Sequence, residues 1–125
     1  MARVLAHVPD LLFGSKVQGM LAAGGHDVSL VGSEAAVREQ IGSSDVLVVD
    51  LTADDVAGIA LLEGLKDADA VGATRTLAFY SHVDVDVRTR AVAAGFDQVV
   101  PRSRMAREGS ALVDRLVAVG ADAAG

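Results

Sequence analysis

The chain has 125 residues, no cysteine and no tryptophan, and its 11 basic against 17 acidic residues leave a net charge of -6. That length suits one domain with a real core, the missing thiols exclude disulfides, thiolate metal sites and a cysteine nucleophile, and the negative balance argues against general nucleic-acid binding. No apolar run approaches the ~20 residues a bilayer needs and no leader pattern opens the sequence, so no membrane association and a cytoplasmic location are expected.

Residues 3–8 (RVLAHV) read as a first strand, which Pro9 breaks, and Asp10 is placed to cap the helix that follows. That helix carries Phe13, Val17, Met20 and Leu21 on one stripe and stops at Gly24-Gly25. Residues 26–31 (HDVSLV) alternate partially, as a half-exposed second strand does, and His26 is expected at the surface. Ser33 caps a short helix bearing Val37 and Ile41 and ending at Gly42. Residues 46–50 (VLVVD) are apolar without alternation until they reach a carboxylate, the pattern of a strand covered on both faces. Asp54-Asp55 then open a helix with Ile59, Leu62 and Leu65 on one face, and its acids sit near the positive end of the helix dipole. After a loop over 67–75, residues 76–80 (TLAFY) form the fourth strand. Asp84 or Asp86 caps the next helix, with Val87, Ala91 and Ala94 inward and Gly95 as its stop. Residues 98–100 are the short fifth strand, and a last helix carries Leu112, Leu116 and Val119.

Strands alternating with helices, without repeat or linker, predict a single α/β domain: a (βα)5 doubly wound parallel sheet of flavodoxin-like strand order 2-1-3-4-5. The domain is read over 1–120, with 121–125 as a frayed tail. Ligands collect beyond the carboxyl ends of such strands, so Asp50 is the first site candidate, and His7, Ser81 and Arg102 should share its rim.

On these residues the chain resembles the receiver domains of two-component response regulators over nearly its whole length. VLVVDL places Asp50 where that family carries its phosphoacceptor, LAFYSH offers Ser81 for the phosphoryl-contacting hydroxyl, and AAGFDQVVPRS sets Arg102 in the place of a lysine and Ser103 in that of a proline. The acid pair with which the family holds Mg²⁺ falls on Val8 and Pro9, and the fifth-strand aromatic on Val99. Two carboxylates about 4 Å apart repel by roughly 4 kcal/mol at an effective dielectric of 20, which is what makes a divalent ion welcome. Without the pair, Arg102 alone is expected to balance Asp50, and no cofactor is expected. Mg²⁺ enters only under the alternative of a working receiver, with Asp10, Asp50 and the Thr52 carbonyl as its holders.

The resemblance implies a stand-alone signalling domain that binds a protein, either a histidine kinase or a downstream signalling protein, with phosphoryl transfer to Asp50 weak or lost. A homodimer is the alternative assembly. Arg88, Arg90, Arg104 and Arg107 form the expected partner face, which Asp84, Asp86 and Asp114 partly neutralise. From another class comes a small-anion or nucleotide-binding domain using Ser15, Lys16 and Arg102 at a helix start, although the phosphate-loop and dinucleotide patterns are absent. An Asp-His constellation of Asp50 with His7 or His82 is weaker still. No nucleophile, base and orienter can be named together, so no enzyme is expected.

Overall fold

The strand pattern is realised in full. In a computed structural model, which describes residues 2–124 and the side chains of all but 119–124 of these, five parallel strands lie in the order β2-β1-β3-β4-β5. They are β1 (Arg3–His7), β2 (Asp27–Val31), β3 (Val46–Asp50), β4 (Arg75–Tyr80) and β5 (Gln98–Pro101). The helices are α1 (Leu11–Ala23), α2 (Glu34–Gln40), α3 (Asp55–Asp67), α4 (Val85–Ala94) and α5 (Arg102–Ala124), with a 3-10 turn at Ile41–Ser43. The expectation for Val119 falls on a side chain outside those described, and residue 125 also lies outside; over 121–124, expected to fray, the described backbone continues α5.

The unalternating central strands are explained by two cores, one on each face of the sheet. Val46 and Val48 of β3, with Leu77 and Phe79 of β4, pack under α1 and α5 against Val17, Leu21, Met105 and Leu112. Leu47, Val49, Ala78 and Tyr80 point the other way, to Val37, Ile59, Leu62, Leu65, Val87 and Ala91 of α2, α3 and α4. Period-two alternation therefore persists in direction, while burial of both faces makes every position apolar.

Local chemistry sets the helix ends. The Asp10 carboxylate accepts from the Leu12 and Phe13 amides, Ser33 from Ala36 and Asp54 from Ala57, each serving N–H groups that a first turn leaves unpaired. Asp84 holds the N-cap position of α4, as one of the two expectations had it, but its side chain makes no cap bond, and Asp86 lies inside the first turn. Gly95 closes α4 at φ +104°, a conformation that side chains rarely adopt.

His26 corrects an expectation. It is buried rather than at the surface. Its Nδ1 accepts the Ala2 amide at 3.2 Å, and its Nε2 stands 2.9 Å from Asp114 Oδ1 on α5, a close polar contact without the alignment of a hydrogen bond. The ring thereby fills the gap between the start of β1 and α5.

Candidate functional site

Asp50 ends β3 with 5% of its surface exposed. Its Oδ1 accepts twice from one residue, at 2.7 Å from the Thr52 amide and 2.6 Å from the Thr52 hydroxyl. Asp-x-Thr closes this turn because a carboxylate can take a backbone N–H two residues on. Oδ2 is buried and has no hydrogen-bond partner among the described residues. Half of the carboxylate is thus satisfied, and half is not. α3 approaches this strand end closely because Gly58 lacks a side chain, and a methyl group there would collide with Leu51.

Arg102 opens α5 directly after Pro101, at the end of β5. Its guanidinium carbon lies 4.0 Å from the centre of the Phe13 ring, and Phe13 packs on Phe79 with centroids 5.2 Å apart and planes tilted by 59°. A nitrogen of Arg102 stands 3.9 Å from Asp10 Oδ2. The expected pairing of Asp50 with Arg102 does not form among the described residues: Phe13 and Asp10 hold the guanidinium over α1, and Thr52 occupies the accessible oxygen of Asp50.

The same contacts decide how the residues fit a Mg²⁺ ion of the kind receivers bind. Asp10 directs one oxygen to the α1 amides and the other toward Arg102, Val8 is buried, and Pro9 offers no ligand side chain. Thr52 brings its N–H and hydroxyl to Asp50. No group of three His, Asp or Glu among the described residues could hold a metal. Mg²⁺ demands near-octahedral oxygen ligands, usually one or two carboxylates beside the substrate phosphate, and this arrangement does not fit it.

Two clefts flank the Thr52-Ala53 turn. One, of about 630 Å³, brings together Phe13, Lys16, Thr52, Ser81, Arg102 and Ser103, with His82 at its edge. The other, of about 430 Å³, is lined by His7, Gly32, Glu34, Asp50 and Asp54. His7 and His82 consequently fall on opposite sides, and no Asp-His constellation assembles; His7 Nδ1 is instead 3.4 Å from the Val31 carbonyl. Ser15 is exposed and lines neither cleft, since one helical step turns it away from Lys16.

The arginines divide. Arg90 is a brace between helices: it bonds Asp55 of α3 and, at 3.0 Å, Asp86 one turn before it, and these two carboxylates hold its guanidinium above the ordinary arginine range. Arg104 pairs with Glu108 at 3.3 Å. Arg88 and Arg107 are exposed and form no ion pair among the described residues, while Asp114 faces His26 instead of the basic face. Val99, in the place of the family's switching aromatic, is half-buried against the α3–α4 core.

The sequence reading missed the Thr52 clasp and the Phe13–Arg102 stack. The clasp had a signal, the Asp-x-Thr spacing after a strand; the stack had none, because it joins residues far apart in the chain.

No protein-family model and no curated protein sequence matches the chain. Solved structures do. The receiver domain of the Francisella response regulator 1452 aligns with a TM-score of 0.80 at 18% identity, covering 94% of this chain and 97% of that one. A putative response regulator from Chloroflexus aurantiacus gives 0.82 at 17% identity, over 94% and 98%. FixJ-N gives 0.80 at 21% identity over 94% of each chain. At such identities the likeness establishes the fold: the chain has the fold of a response-regulator receiver domain.

Proposed function

We propose that the chain is a response-regulator-like signalling module that acts by binding another protein, with phosphoryl transfer to Asp50 weak or lost. The state of the Asp50 carboxylate carries this reading: Thr52 clasps one oxygen, the other is buried, and Asp10 is engaged with α1 and Arg102. In-line phosphoryl transfer relies on positioning and on cations that neutralise the moving group. A phosphoryl group on Asp50 would turn one negative charge into about two, with Arg102 and Lys16 of the neighbouring cleft to meet them. Without a divalent ion held beside Asp50, the transfer step itself would be slow.

In this reading the domain has no enzymatic role, works in the cytoplasm and passes its signal through a surface. On α4, Val85, Arg88 and Val92 are all exposed and share one face at helical spacing. This apolar and basic face of α4, with the exposed Arg107 of α5 on the other side of the sheet's β5 edge, suits an acidic protein partner, a histidine kinase or a downstream signalling protein, with a second copy of the chain as the alternative.

Incubation with acetyl phosphate and Mg²⁺, followed by intact mass measurement, tests the proposal. The expected mass is unchanged. A gain of one phosphoryl mass that Asp50→Asn abolishes would instead make this a working receiver.

A further inference from the structure

On a chain of net charge -6, the larger cleft is an exception: it is lined by two cations and three hydroxyl residues, and by no carboxylate. Lys16 makes no ion pair among the described residues, and the 3.9 Å contact of Arg102 with Asp10 joins side chains that are 44% and 45% exposed, a weak tie that water screens. The Thr52 hydroxyl is engaged with Asp50, which leaves the Ser81 and Ser103 hydroxyls as neutral donors on the cleft wall. Phe13, Ala53 and Ala106 supply the apolar part of that wall. At about 630 Å³ the cleft lies within the size range of small-molecule pockets.

We propose that this cleft binds a small organic phosphate monoester non-covalently, with Arg102 and Lys16 on the phosphate and a flat organic body against the Phe13–Arg102 stack. A dianionic head matches the two cations. The Arg102 guanidinium, 4.0 Å from the centre of the Phe13 ring, is a planar cation of the kind against which flat groups stack. The inference rests on the reading that Asp50 stays unphosphorylated, because a phosphoryl group there would set further negative charge beside Thr52 at the cleft edge.

The test is a metal-free titration of the whole chain with phenyl phosphate, inorganic phosphate and phenol, followed by calorimetry and by backbone amide shifts. Phenyl phosphate is expected to saturate and to bind about tenfold or more tightly than inorganic phosphate or phenol, because only it engages both the cations and the stack. Shifts should centre on Lys16, Ser81 and Ser103. Arg102→Ala should weaken binding by about tenfold, the scale of one lost charge-assisted contact, and Lys16→Ala by a smaller factor. Both side chains are exposed, so the variants should fold, which circular dichroism checks. Asp50→Asn should keep or raise the affinity, since it removes a negative charge beside Thr52. That variant separates the two readings, since it cannot be phosphorylated and its titration reports on the cleft alone. Failure of phenyl phosphate to saturate, equal binding by Arg102→Ala, or shifts confined to another face would overturn the proposal.

Discussion

Thr52 holds Asp50 with two donors on a single carboxylate oxygen, the amide at 2.7 Å and the hydroxyl at 2.6 Å. The hydroxyl bond is charge-assisted and partly shielded, so Thr52→Val, which keeps the shape and removes the donor, should lower stability by about 1–2 kcal/mol. Urea melts of the two proteins check this. An unchanged midpoint would mean that water replaces the hydroxyl at no cost.

Gly95 ends α4 at φ +104°, with Lys66 packed where a side chain would begin. Gly95→Ala should therefore destabilise the fold by about 1–2 kcal/mol, the usual cost of forcing an L residue into left-handed backbone. Thermal unfolding of the variant measures it, and Gly19→Ala, where no atom lies within reach of an added methyl, is the control with little or no loss.

The buried His26 ring accepts the Ala2 amide and contacts Asp114. His26→Ala leaves that amide without its acceptor and opens a void beside β1, so a loss of about 2 kcal/mol is expected. Amide hydrogen exchange should show faster opening of β1 than of β4. Equal protection of the two strands would show that the ring does not anchor the start of β1.

Charge reversal separates the surface arginines by role. Arg88→Glu combined with Arg107→Glu should leave the melting temperature unchanged and abolish capture of an acidic partner, because neither residue makes an ion pair among the described residues. Arg90→Glu should instead loosen the α3–α4 contact, since it sets three carboxylates together, and high salt should restore part of the loss. Partner capture that survives the double reversal counts against this face.

The sheet was legible because its signals are local and redundant. A run such as VLVVD with caps on either side admits few folds, and Asp50 at its end followed from topology alone. The destination of Arg102 was not legible, because three groups compete for it. Charge favoured Asp50, but the Phe13 ring, delivered by α1, lies nearer. The spacing of Asp10 could equally suit a metal ligand or a helix cap, and the free amides of Leu12 and Phe13 decided for the cap. His26 was misplaced for a similar reason: a polar residue after two glycines reads as surface until a second element, here α5, covers it.

Amide spectra recorded during titration with Mg²⁺, and then with beryllofluoride, interrogate Asp50 without any partner. With the oxygens of Asp10 engaged at α1 and Arg102, and Asp50 clasped by Thr52, the Thr52 and Ser81 signals should not move beyond the general effect of salt. Saturable movement of both signals, lost in Asp50→Asn, would show a metal-dependent phosphoacceptor and contradict the proposed function.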